Sequence, residues 1–314
     1  MKSFLTIIRI PNLLVIILTQ ALIRYYVIQP VVNEYGFRLS FPFLFFVILV
    51  FVTVLIAAAG YVINDYYDVK ADYINRPDRS IVGKKLSRST TFILFVVLLV
   101  IALLFGAYVA LFSRMTELLL IFIIISGLLW FYSYSYSKQF LVGNLVIAAL
   151  TAMVPLLIGL TEIKSLLIVY KGKVFENMEM IEQVKYWVLA FSSFAFLTTL
   201  TREIIKDTED FQGDLIDNRN TIPIVLGEKV AKIIVILLVA LLIVSIGFVY
   251  VKYLPFHFFS IIYILITLII PLAYIIYSVW LATDKNDYHR VSEMLKFIMV
   301  AGILFAMVNK YLMS

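Results

Sequence analysis

The chain contains no cysteine and only two histidines, His257 and His289, among its 314 residues. Disulfide frameworks and thiolate zinc sites are therefore excluded, and two separated histidines give no basis for a His-rich metal centre. Any resident metal must be held by oxygen, which favours Mg²⁺ or a similar hard cation. Charge is scarce as well: 15% of the residues are charged against 63% hydrophobic, and the mean hydropathy is +1.02. A soluble domain of this size would expose far too much apolar surface at that composition, so the chain reads as a polytopic membrane protein. The net charge of +6 is small for the length. The basic residues sit in short loops beside apolar runs, as membrane orientation and contact with lipid headgroups require, and there is no nucleic-acid signature and no evident obligatory protein partner.

Runs of about twenty apolar residues suffice to cross the hydrocarbon core. They can be laid out as Leu13–Val32, Phe41–Ile63, Thr91–Phe112, Leu118–Ser135, Phe140–Leu160, Tyr186–Ile205, Val230–Val251, Phe256–Leu281 and Glu293–Leu312. The expected fold is an all-α bundle of about nine transmembrane helices, forming one intramembrane domain over residues 1–314. Lys2 and Arg9 precede the first run and no small-residue cleavage site follows it, so the run reads as a retained span. A cytoplasmic N-terminus places most of the Lys and Arg on the cytoplasmic side. Arg24 lies within the first span, where a charge is costly unless it snorkels or is paired; snorkelling to the outer interface is the expectation, which keeps it out of the catalytic set. Ile163–Lys185, with Lys171-Gly172-Lys173 and several glutamates, reads as an external loop, either amphipathic in character or a plain solvated connector.

Against this apolar background the acids are concentrated. Four of the twenty fall in 64–80 and six in 203–217. Asp65, Asp68 and Asp72 are spaced three then four, and Asp207, Asp210 and Asp214 repeat that spacing 142 positions later. Steps of three and four keep side chains on one helix face, so each triplet is expected to form a carboxylate stripe. Carboxylates this crowded need a cation, and two facing stripes would make a divalent-metal cage. The offset spans about four helices, suggesting two four-helix halves plus a ninth helix with the site at their interface.

The neighbouring bases indicate what such a cation serves. Arg76, Arg79, Lys84, Lys85 and Arg88 follow the first stripe, Arg202 and Lys206 are interleaved with the second, and Lys138 lies at the matching end of the connection between the fourth and fifth spans. Carboxylates, Mg²⁺ and Lys/Arg together hold a diphosphate: acids grip the metal, the metal bridges phosphate oxygens, and the bases cover the remaining charge. With a helical bundle rich in Phe, Leu, Ile and Tyr beside it, a polyprenyl diphosphate fits both the polar and the apolar part.

Asn64-Asp65-Tyr66-Tyr67-Asp68-Val69-Lys70-Ala71-Asp72 resembles the NDxxDxxxD motif of the UbiA-type intramembrane prenyltransferases. Asn75-Arg76-Pro77-Asp78-Arg79-Ser80 is similar to that family's NRPxRP loop, with Ser80 in place of the second proline. The segment from Arg202 to Asp214 looks like the second acidic motif, and Asn220-Thr221-Ile222-Pro223 like the TLP segment after it. Tyr132-Ser133, Lys138 and Gly143-Asn144 resemble the Tyr-Ser, Lys and Gly-Asn positions between the motifs, and Arg9-Ile10-Pro11-Asn12 the N-terminal Arg-x-x-Asn. The form REIIKDTEDFQGD looks most like the branch of that family that prenylates geranylgeranylglyceryl phosphate in ether-lipid assembly.

The resemblance implies Mg²⁺ held by Asn64, Asp68, Asp72, Asp207, Asp210 and Asp214. It also implies a catalytic set of Asp68, Asp72, Asp210, Asp214 and Lys138, with substrate contacts from Arg76, Arg79, Lys138, Arg202, Lys206, Arg9, Asn12 and Tyr132. The activity implied is transfer of a polyprenyl group from its diphosphate to a lipid acceptor. Tyr66, Tyr67, Tyr132, Tyr134 and Tyr136 are candidates for stabilising an allylic cation, or alternatively belong to an interfacial belt. Two other readings are open: an aromatic acid as acceptor, giving a quinone precursor, and, from a different class, a cation-coupled secondary transporter, which would need acids near mid-membrane and broken helices.

Overall fold

The computed structural model describes residues 2–75, 81–254 and 256–313. Among them, nine helices are long and apolar enough to cross a membrane: α1 (Ile10–Glu34), α2 (Phe43–Tyr67), α3 (Arg88–Phe112), α4 (Glu117–Tyr134), α5 (Val142–Tyr170), α6 (Met178–Glu209), α7 (Glu228–Tyr253), α8 (Phe258–Leu281) and α9 (Lys285–Val308). Many of these residues are β-branched, a disadvantage for helices in water. Within lipid, however, every backbone N–H and C=O must find a partner inside the segment, and the helix is the single-chain answer. The apolar side chains left on the outside, such as Leu104, Val244 and Trp280, face the surroundings that nine such spans require. The chain is an integral, multi-pass membrane protein.

Local sequence sets the helix ends and irregularities. Ser87 caps α3, its hydroxyl accepting from the Thr90 N–H at 3.1 Å. Wide π turns interrupt α1 at Ile23–Ile28 and α8 at Leu265–Ile269. Each is followed two residues later by a proline, Pro30 and Pro271. A proline lacks the N–H that a regular turn would use and crowds the preceding turn, so the helix widens before it.

The chain packs as two compact units interleaved along the sequence. The first comprises Met1–Gln20, Phe41–Val146 and Gln212–Arg219; the second comprises Ala21–Ser40, Ile147–Phe211 and Asn220–Ser314. The division therefore runs through α1 and α5 instead of falling after a fourth helix. In the first unit, α2, α3 and α4 pack on one another around Val62, Ile63, Phe95 and Leu98. Phe51 and Phe105 add an edge-to-face ring contact at 5.4 Å. In the second unit, α6 packs on α7 and α9, and α8 on α7 and α9. An apolar cavity of about 410 Å³ remains there, with Phe191, Phe194, Leu242, Val249, Leu268 and Phe305 in its walls.

Two expectations are corrected here. The supposed loop over 163–185 is mostly helix: α5 continues to Tyr170 and α6 begins at Met178. Leu166, Met180, Ile181 and Val184 are buried, so the charged residues between them line only the outer faces of amphipathic turns. Hydrogen bonds from Ser40 to Ser165 (3.0 Å) and from the Arg38 N–H to the Tyr170 hydroxyl (3.3 Å) hold the extension in place. Arg24 does not snorkel. Its Nε stands 2.8 Å from Glu162 Oε1, with side-chain exposures of 3% and 1%.

Candidate active site

The first acidic motif does not lie on one continuous helix. α2 ends at Tyr67, Asp68 adopts φ −86° and ψ 8°, and a short helix, Val69–Asn75, follows. The Asp68 N–H still bonds the Asn64 carbonyl and the Asp72 N–H the Asp68 carbonyl, each at 2.9 Å, so the stripe is bent without losing its i, i+4 contacts. The Asn64 side-chain amide donates to Asp68 Oδ2 at 2.7 Å. Asp72 is half-buried in the first turn of the short helix.

The second motif bends at the same place. α6 ends at Glu209, Asp210 has φ −95° and ψ 11°, and another short helix, Phe211–Ile216, carries Asp214. This bend puts Asp214 in the first unit, and there it meets the first motif through a residue the sequence reading did not single out. The Arg219 guanidinium donates to Asp68 Oδ1 and stands 3.5 Å from Asp214 and 3.2 Å from Asp217. Arg219 is placed by a tight turn, in which its N–H bonds the Asp214 carbonyl at 2.9 Å and Asn218 takes a left-handed φ of 53°. Burial works against its charge, but Asp68, Asp214 and Asp217 outweigh that and raise its pKa above the ordinary arginine value, so it stays a cation.

Lys138 joins the same cluster, with Nζ 3.1 Å from Asp217. It sits on the turn Tyr136–Lys138 between α4 and α5. The turn is tight because Gly143 lies against it; a Cβ there would be 2.7 Å from the Tyr136 carbonyl oxygen. Arg9 and Asn12 are also drawn to the first motif. Arg9 pairs with Asp65 at 2.8 Å and lies over the Tyr61 ring, and the Asn12 amide donates to the Tyr61 hydroxyl at 3.2 Å. Asn75, at the end of the short helix, accepts from the Gly213 N–H at 3.0 Å and so ties the two motifs together. Tyr67 makes edge contacts with Tyr66 and Tyr134 at 5.1 and 5.6 Å, and Tyr132 is half-buried one turn behind Tyr136. Arg76, Arg79 and Ser80 lie outside the described residues.

Asp207 and Asp210 belong to the second unit, on the last turn and at the end of α6. The bases beside them, Arg202 and Lys206, both reach Glu203, at 3.1 Å each. Glu209 is buried and bonded to His289 Nδ1 of α9 at 2.9 Å. Only the acidic clustering could have pointed to Glu203, Glu209 and Asp217. Arg219 and His289 carry no sequence signal beyond their residue type.

Among the described residues, no three acidic or histidine side chains stand close enough to hold an ion. Within the first unit, Asp65 pairs with Arg9, and Asp68 and Asp214 share Arg219. The donor set nevertheless suits Mg²⁺: Asp68 and Asp214 present hard oxygens to a single cation, and Asn64 stands beside them.

These features have counterparts in known proteins. A digeranylgeranylglyceryl phosphate synthase of Methanosphaera stadtmanae is 30% identical over 253 residues, 79% of this chain and 82% of that protein. A solved structure concerned with digeranylgeranylglyceryl phosphate synthase in membranes superposes with a TM-score of 0.63 at 25% identity, covering 98% of each chain. A UbiA homolog of Archaeoglobus fulgidus, solved bound to GPP and Mg²⁺, shares the fold at 13% identity with a TM-score of 0.57, covering 98% of this chain and 99% of that one. The sequence profile of the UbiA prenyltransferase family matches residues 35–300, most of the chain, and on that match the protein belongs to the UbiA prenyltransferase family.

Proposed function

We propose that this protein transfers a polyprenyl group from its diphosphate to geranylgeranylglyceryl phosphate, with Mg²⁺, as a single catalytic domain. The observation that carries the reading is the cluster of Asn64, Asp68, Asp214, Arg219, Asp217 and Lys138, where both acidic motifs and two bases meet just beyond the ends of apolar spans. The relative from Methanosphaera stadtmanae and the synthase-related structure support the ether-lipid acceptor over an aromatic acid. The carboxylates of the two acidic motifs stand at helix ends instead of mid-span, which disfavours a transporter.

The first unit offers Asn64, Asp68, Asp72 and Asp214 as metal ligands, and the second offers Asp207 and Asp210. A Mg²⁺ held by these residues would supply positive charge to stabilise the diphosphate as leaving group when the allylic C1–O bond breaks. Lys138, Arg9, Arg202, Lys206, Arg76 and Arg79 supply the remaining positive charge around the diphosphate. Arg202 and Lys206 share Glu203 as an ion-pair partner. Asn12 faces the acceptor headgroup, and Tyr132 contributes an aromatic wall that keeps water from the allylic carbon. The apolar cavity of the second unit is suitable space for hydrocarbon. The distribution of Lys and Arg supports a cytoplasmic N-terminus with both motifs on that side.

The test is prenyl transfer by the purified protein in lipid, given geranylgeranyl diphosphate, Mg²⁺ and either geranylgeranylglyceryl phosphate or a panel of aromatic acids. An EDTA control and Asp68→Ala accompany it. Product with the glycerol phosphate that is lost with EDTA and with Asp68→Ala is expected. Product with an aromatic acid alone would reassign the acceptor, and failure to bind diphosphate with metal would end the prenyltransferase reading.

A further inference from the structure

We propose that Arg219 is a built-in counter-ion, which holds the carboxylates of Asp68 and Asp214 together until a divalent metal displaces it. The inference rests on reading this site as metal-dependent. Arg219 lies outside the acidic motifs and outside every span, yet its side chain is only 9% exposed. Its guanidinium is shared by three carboxylates: Asp68 of the first motif, 151 residues away in sequence, Asp214 of the second motif, and Asp217, which lies between Asp214 and Arg219.

Asp68, Asp214 and Asp217 gather round the one guanidinium of Arg219, and Lys138 also reaches Asp217. Carboxylates brought together in a buried site repel one another, and Arg219, which reaches both Asp68 and Asp214, offsets that repulsion in the absence of metal. A Mg²⁺ ion needs oxygens at about 2.1 Å. If it took Asp68 Oδ1 while Arg219 kept that atom, two cations would crowd one carboxylate oxygen and repel each other. One of the two must leave.

The structure also provides a place for the arginine to go. Arg219 Nε is 3.2 Å from Asp217, which sits outside the ligand set and is pinned by Lys138 at 3.1 Å. Arg219 can release Asp68 and keep Asp217. Its terminal nitrogens are then free to meet a diphosphate oxygen, so metal entry and diphosphate binding are coupled in that order.

The experiment measures Mn²⁺ binding by paramagnetic resonance to the full-length protein in nanodiscs without diphosphate, for wild type, Arg219→Gln, Arg219→Lys and Lys138→Gln, together with melting temperatures with and without the metal. Arg219→Gln is expected to bind Mn²⁺ at least tenfold tighter than wild type, to melt lower without metal, and to gain more from it. Arg219→Lys, one compact ammonium unable to span two carboxylates, should fall between and serves if the glutamine variant does not fold. Lys138→Gln should change affinity less than threefold, because it does not contact Asp68 or Asp214. Equal affinities in wild type and both Arg219 variants, or an equal gain in Lys138→Gln, would overturn the inference while leaving metal-dependent transfer intact. No Mn²⁺ binding by wild type, with or without inorganic pyrophosphate, would overturn both.

Discussion

Asp68 and Asp210, 142 positions apart, end their transmembrane helices in the same conformation, φ −86° and ψ 8° for one and φ −95° and ψ 11° for the other. Each N–H bonds the carbonyl four residues back, Asn64 and Lys206, and each is followed at once by a short helix bearing the third aspartate. This sparsely populated bridge region recurs where functional residues sit. The two motifs thus share backbone geometry as well as spacing, which argues for equal roles. Asp68→Asn and Asp210→Asn should each lower prenyl transfer by at least ~100-fold and raise the Mg²⁺ concentration needed for half-maximal rate. Initial rates across a Mg²⁺ titration check both; a variant that keeps near-normal rates would remove its aspartate from the ligand set.

The spans were legible because lipid imposes one simple rule on composition, and runs such as Thr91–Phe112 obey it. The segment 163–185 misled because its lysines and glutamates dominate the average, while the residues that decide its structure, Leu166, Met180, Ile181 and Val184, are few and spaced by helical turns. The motif acids were visible from their spacing. Their partners were not: which arginine meets Asp68 depends on a turn at Asn218 and a bend at Asp210, and neither leaves a periodic signal.

The pairing of Arg24 with Glu162 was hidden for the same reason, and it carries its own prediction. Both groups are almost completely buried in the second unit, so neither can be relieved by water. Arg24→Met alone should destabilise the protein by about 3–5 kcal/mol by leaving the Glu162 carboxylate without its ion-pair partner, and Arg24→Met with Glu162→Leu should recover most of that loss. Equilibrium unfolding in mixed detergent micelles measures it. A double variant no more stable than the single one would mean that the pair contributes something other than mutual neutralisation.

The link between Asn75 and Gly213 tests how the two motifs are held together. A Cβ on Gly213 would lie 2.3 Å from Asn75 Nδ2, but that amide is a side-chain end and can turn away. Gly213→Ala should therefore cost little more than the hydrogen bond, about 1 kcal/mol, and Asn75→Ala about the same. Because both lose one interaction, the double variant should be no worse than either single variant. Additive losses in melting experiments would contradict this.

Gly143 presents the opposite case. An added methyl would meet the Tyr136 carbonyl oxygen at 2.7 Å and the Ser137 Cα at 3.0 Å, both backbone atoms of the turn that carries Lys138. No side-chain rotation relieves that contact, so the turn itself must shift, at about 1–3 kcal/mol. Moving the turn moves Lys138 away from Asp217 and from the diphosphate it is proposed to bind. Gly143→Ala should thus raise the KM for the prenyl diphosphate about tenfold with a smaller fall in kcat, since a misplaced cation weakens ground-state and transition-state binding alike. Lys138→Ala should add little in that background. If the two losses multiply instead, Gly143 shapes the protein by a route that does not pass through Lys138, and the lysine's position is set by Asp217 alone.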